Sequence, residues 1–224
     1  MKPSYRKLAL TAHITFSVGW MGAVAAYLAV SFVGLTSHDT QMVRAAYLSM
    51  EVIGWFVILP LSLAAILAGL VEALGTPWGL FRYWWVSTKF LLTTGATAVL
   101  VRHLKSVSRM AALARHAILA ATDSRAQRIQ LVVHAAGGLV VLLAATVLSV
   151  YKPWGMTPYG LRKKNELPEI SPAGLFSNPQ LDAAAVPAAT QRTPRWVYIV
   201  GIHAVGLALL LLVAHLTGYG THSH

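Results

Sequence analysis

The sequence predicts an all-α integral membrane protein: an antiparallel bundle of four transmembrane helices plus a fifth, C-terminal one. Three observations carry this reading. Of the 224 residues, 56% are hydrophobic and only 11% are charged, whereas soluble domains carry about 25% charged residues. Mean hydropathy is +0.60. The apolar residues gather into five runs, each close to the roughly 20 residues that a spanning helix needs. A soluble globular enzyme, a disordered tail and a nucleic-acid module all need more surface charge than this chain has, and all three are excluded.

The first run, about Leu8–Leu35, follows the basic stretch Lys2, Arg6 and Lys7. It is too long for a secretory h-region of 7–15 residues and is expected to be a retained helix. The second is about Ala45–Leu74, with Glu51 and Pro60 inside it. The third, about Tyr83–Leu104, contains Lys89. The fourth, about Ile129–Tyr151, and the fifth, about Trp196–Thr217, carry no charge. Trp78, Tyr83, Trp84, Trp85, Tyr151, Trp154 and Trp196 mark run ends, where amphipathic rings favour the headgroup level. The connector Lys105–Arg128, with Arg109 and Arg115 among apolar residues, suits a helix lying on the membrane surface. Gly155–Pro194 holds six prolines and little periodicity, as in an extended linker. The expected organisation is a bundle over residues 1–155, a Pro-rich linker over 156–194, and the fifth helix with its tail over 195–224. Thr76-Pro-Trp-Gly and Lys152-Pro-Trp-Gly echo each other after the second and fourth runs. Two interfacial turns of similar chemistry explain the echo more simply than a duplicated helix pair.

The net charge of +11 comes from residues that sit mostly between the runs, so the expected partner is anionic lipid headgroups rather than nucleic acid. With the N-terminus in the cytoplasm, loop basic residues divide ten inside to seven outside. This favours a multi-pass protein of the cell membrane with a cytoplasmic N-terminus. The chain has no cysteine, which excludes disulfides, thiolate chemistry and covalent c-type haem attachment.

Ionisable groups inside a bilayer cost about 2.5–3.5 kcal/mol each on insertion scales, so they are the place to look for function. Alternating helix direction sorts them by depth. His13, Lys89 and His203 fall roughly 8–12 Å in from one side, at 1.5 Å per residue. Glu51, His103, His134 and His215 fall toward the other. Lys89 and His103 share nearly one face of their helix, about 21 Å apart. Two polar layers are therefore expected. Neutral imidazole ligates haem iron, copper or zinc, and a b-type haem needs one or two axial side chains facing gaps lined by small residues. Such residues stand at Gly19, Gly22, Ala135–Gly138, Gly201 and Gly206, although small residues also let helices pack closely with no ligand.

The segment Ala12-His13, followed by Trp20-Met21-Gly22, resembles the opening helix of copper-resistance protein D and of the HemJ-type protoporphyrinogen oxidase, a haem-b-binding membrane enzyme. Trp84-Trp85-Val86-Ser87-Thr88-Lys89 is similar to the aromatic-then-lysine helix of the same families. More closely, Leu48–Trp55 and Gly75–Arg82 resemble an uncharacterised actinobacterial family of multi-pass membrane proteins, over about residues 8–155. The resemblance implies that His13 and Lys89 form the functional pair. Ala23–Ala29 departs from the aromatic and arginine residues of the HemJ type, which weighs against protoporphyrinogen chemistry.

The function expected first is noncovalent binding of haem b for electron transfer or quinone-linked oxidation. Its cofactor-binding candidates are His13, Lys89, His203, His134 and His103, with His13, His203 and His134 as metal ligands. No catalytic residue is assigned. Copper transport or homeostasis through the same histidines is the second expectation. A noncatalytic membrane scaffold or assembly factor is the third.

Overall fold

The computed structural model describes residues 3–75, 79–115, 125–152 and 154–165, together with residues 199 and 206. Among them the chain is helical, with no strand. Helix α1 spans Pro3–Thr36 and α2 spans Thr40–Ile53; a π-helical turn at Gly54–Ile58 joins α2 to α3, Leu59–Gly75. Helix α4 spans Trp84–Arg115, α5 spans Arg125–Tyr151 and the short α6 spans Pro158–Asn165. Three segments are long and apolar enough to cross a membrane: Ser4–Thr36, Thr40–Gly75 and Arg125–Tyr151. Of the fifth apolar run only residues 199 and 206 are described; His203 and His215 lie outside the described residues.

Local chemistry explains where these elements begin and bend. The Asp39 carboxylate accepts the Gln41 N–H at 2.9 Å and caps α2, satisfying a backbone donor that the helix start would leave orphaned. Pro60 offers no N–H, and its ring crowds the carbonyl four residues back, at Phe56. The widened π turn around Phe56 takes up that conflict without ending the helix. At its start, Gly54 lets α4 approach: a Cβ there would stand 2.3 Å from Leu104 Cδ2. One residue on, the Trp55 indole donates to the Ser108 hydroxyl at 3.0 Å.

Helix α4 is not among the three apolar spans. Lys89, Arg102 and Lys105 lie within it, yet it is packed like the others. Helix α1 packs against α2, α3 and α5, and α4 packs against the same three, so α1 and α4 lie on one diagonal of the assembly. The hydroxyls of Thr93 and Thr97 bond back to the carbonyls of Lys89 and Thr93 at 3.0 Å each, so these side chains enter the interior with their hydrogen bonds made within the helix.

The connector after the third apolar run differs from expectation. Residues 105–115 continue α4 instead of lying on a membrane surface. Val107, Met110, Ala111 and Ala114 recur at helical spacing and are all buried. With Val43, Tyr47 and Met50 of α2, Val107, Met110 and Ala114 belong to the main core, and burying that stripe favours one long helix over a separate one. Arg115 closes the end of the contact through an ion pair with Glu51, and Arg128 donates to the Gly34 carbonyl at 3.3 Å, tying α5 to α1.

The predicted linker also begins with structure. Trp84 N donates to Gly155 O at 3.3 Å, Thr157 N donates to Arg82 O at 2.9 Å, and the Thr157 hydroxyl donates to Phe81 O at 2.6 Å. An isolated bridge pairs Tyr83 with Met156. Gly160 of α6 lies so close that a Cβ would meet Arg82 O at 2.3 Å. The loops that follow the second and fourth runs are thus joined to each other at one end of the assembly.

Candidate functional site

Two cavities lie along the assembly, and both draw walls from α1, α4 and α5. The first, about 490 Å³, is lined by His13, Ser17 and Met21 of α1, Ala65, Gly69 and Glu72 of α3, and Lys89 of α4, with Lys152 after α5. The second, about 400 Å³, is lined by Tyr27, His103 and His134 together with Gly95, Ala96, Gly137, Gly138 and Val141. Trp20 and Leu142 line both and form the wall between them.

In the first cavity α3 positions His13. Its Nδ1 lies 2.9 Å from the Ala65 carbonyl. A carbonyl only accepts, so Nδ1 carries the proton, and in the neutral ring Nε2 carries the lone pair. One turn on, Gly69 makes room for the ring: a Cβ there would stand 2.9 Å from Cε1 and 3.2 Å from Nδ1. Ala65 and Gly69 share a face of α3 by their spacing of four. One supplies the acceptor and the other the clearance.

Charge is gathered around the same space. Glu72 is within electrostatic reach of His13 and Lys89. The ammonium groups of Lys89 and Lys152 lie 6.0 Å and 5.8 Å from the centre of the Trp85 ring, at cation–π range. Trp85 is 9% exposed, so the two cations are held against a fixed surface. Such a cavity can take a ligand that combines a large apolar body, anionic groups and an atom that accepts an imidazole lone pair.

In the second cavity His103 and His134 stack, with ring centroids 4.8 Å apart and planes 9° from parallel. The Tyr27 hydroxyl lies 3.3 Å from His103 Nε2. His134 Nδ1 donates to the Gln130 carbonyl at 2.7 Å, which makes Nε2 its acceptor nitrogen. The two imidazoles lie face to face in contact. A porphyrin held by both would need their nitrogens aimed at each other across its plane, so this pair does not form a two-histidine haem clamp.

The structure therefore brings His13 and Lys89 together, and separately His103 and His134. His203 falls outside the described residues. Glu51 belongs to neither cavity and pairs with Arg115. Sequence reasoning missed Glu72, Lys152 and Tyr27. A signal for Tyr27 was present: His13, Trp20 and Tyr27 are spaced by seven, which returns to nearly the same helix face at each step of about 10.5 Å. Among the described residues no three His, Cys, Asp or Glu side chains gather as a metal-binding group.

Comparison with models of known protein families, with characterised proteins and with solved structures found no match to this chain.

Proposed function

We propose that this chain is a cell-membrane protein that binds one b-type haem noncovalently in the His13–Lys89 cavity, for electron transfer or for oxidation of a lipophilic substrate with quinone as acceptor. In this reading α4 completes an antiparallel four-helix membrane bundle, the apolar run at 196–217 adds a fifth span, and the N-terminus is cytoplasmic. The observation that carries the reading is the Nδ1–Ala65 hydrogen bond. It fixes the ring and keeps Nε2 as the lone-pair nitrogen in a cavity within the size range of cofactor sites.

The residues present suit the group. His13 would hold the iron, Lys89 and Lys152 would meet the propionate carboxylates, Glu72 would balance their charge, and Trp20 and Leu142 would supply apolar walls. Bound haem would supply a one-electron couple in a site shielded from water, tuned by its axial ligand and by burial. The copper reading has less to stand on. A copper site needs several converging donors, and beside His13 the cavity offers Met21 and Glu72, with no three-donor group among the described residues.

Absorbance spectroscopy of the detergent-purified protein tests the proposal. A Soret band that is lost in His13→Ala supports it. No Soret band after expression with ample haem, and none after reconstitution, removes it. Bound copper without porphyrin absorbance would favour metal handling. If His13→Ala and Lys89→Ala change only stability, a scaffold role is left.

A further inference from the structure

We infer that the second cavity is a binding site for the ring of a lipophilic quinone or quinol, held against the His103–His134 pair. The inference deepens the redox reading above by placing the quinone, but the binding it asserts does not require haem.

Four observations converge on that ligand class. The walls are almost wholly apolar, and, Thr88 and two indoles apart, the polar side chains that line them are Tyr27, His103 and His134. Parallel imidazoles present a flat surface, which suits a planar ring by offset stacking. That end also matches quinone oxygens in both oxidation states. With His103 as the tautomer that donates Nε2–H to the Tyr27 oxygen at 3.3 Å, the Tyr27 O–H can donate to a quinone carbonyl, and the neutral His134 that donates Nδ1–H to Gln130 carries its lone pair on Nε2, the form that accepts from a quinol O–H. Finally, the cavity opens sideways. Leu91 lines it and is 67% exposed on the outer surface of α4, so a long apolar tail could leave between the helices into lipid.

The width of the slot is set by small residues. Gly95 lines it, and a Cβ built there meets nothing within 4 Å. A larger side chain at 95 therefore grows into the space that the ring would occupy, without first colliding with the helices. A haem is excluded as a two-histidine complex by the stacked imidazoles.

The experiment uses the full chain in nanodiscs, with a short-tailed naphthoquinone as probe and tryptophan quenching as readout. Trp20 and Trp154 line the cavity and report occupancy. Protein-free nanodiscs measure partition of the probe into lipid. We expect saturable quenching above that background, weakened at least tenfold in Gly95→Leu and severalfold in Tyr27→Phe. Gly22→Leu, at an exposed position of α1 with open space around it, should bind as wild type. Quenching that never saturates, or Gly95→Leu binding as well as wild type, overturns the site. Loss of a Soret band in Gly95→Leu would assign the cavity to haem and overturn the inference as well. A wild-type protein with no Soret band but saturable, Gly95-dependent quenching upholds the quinone site while the haem proposal fails.

Discussion

Replacing Gly69 with alanine would separate the stability of the assembly from the placing of the His13 ring. A Cβ at 69 stands 2.9 Å from His13 Cε1, where ordinary contact begins at 3.4 Å. The ring must therefore retreat from α3 by about 0.5 Å. Ala65 lies one turn away on the same face, so the retreat also stretches the 2.9 Å bond from Nδ1 to its carbonyl, toward about 3.4 Å and past the 2.7–3.2 Å range of good N–H···O bonds. A weakened hydrogen bond of this kind costs about 0.5–1.5 kcal/mol. Alanine in place of glycine in a helix returns about 0.8–1.0 kcal/mol. The two nearly cancel, so Gly69→Ala should fold and melt like wild type. The affinity for haem falls for a different reason: the displaced ring no longer aims Nε2 as the native hydrogen bond holds it, and losing the outer-shell partner of a ligating histidine typically weakens binding about 10- to 100-fold. Titration of haem into apoprotein, followed at the Soret band, measures this, with Gly22→Ala as the control at an open position. Unchanged affinity and an unchanged band shape in Gly69→Ala would refute the assignment of His13 as the ligand.

Gly160→Ala should release α6, because the new Cβ meets a backbone oxygen 2.3 Å away that cannot step aside; faster tryptic cleavage at Arg162–Lys164 reports it. Gly54→Ala should destabilise the protein by about 1–3 kcal/mol through overpacking, since Leu104 is fully buried where the methyl would enter; thermal unfolding in detergent measures the loss. Glu51→Gln should cost no more than about 1 kcal/mol, because the Arg115 side chain that it pairs with is 53% exposed, and the difference from wild type should shrink in high salt.

The sequence made some of this architecture legible and hid the rest for identifiable reasons. Uncharged runs mark α1 and α5 directly, and the second run marks the continuous segment from α2 to α3. Hydropathy alone does not disclose that Pro60 is absorbed by a π turn, because a mean over side-chain transfer energies carries no record of the backbone geometry around a proline. The extent of α4 was also hidden. Arg102, Lys105, Arg109 and Arg115 lower the mean hydropathy of the segment, yet Val107, Met110, Ala111 and Ala114 keep a buried stripe among them. Averaging over a window removes the periodic component that decides whether a helix continues.

Depth was legible in the site and direction was not. A rise of 1.5 Å per residue puts His13 level with Lys89, and His103 level with His134, whatever the packing. Whether imidazoles at one level face a ligand or each other depends on the rotation of each helix, and here His103 and His134 meet each other. Glu72 was hidden because it falls in the last turns of its span, where a carboxylate reads as interfacial; only the packing of α3 against α1 turns it inward. The seven-residue interval from His13 to Trp20 gives more than a local motif. Repeated once, it reaches Tyr27, and the three side chains fall on one face of α1 in the order first cavity, dividing wall, second cavity. One helical repeat thus sets both sites and the partition between them, and a substitution at Trp20 should act on the two cavities at once.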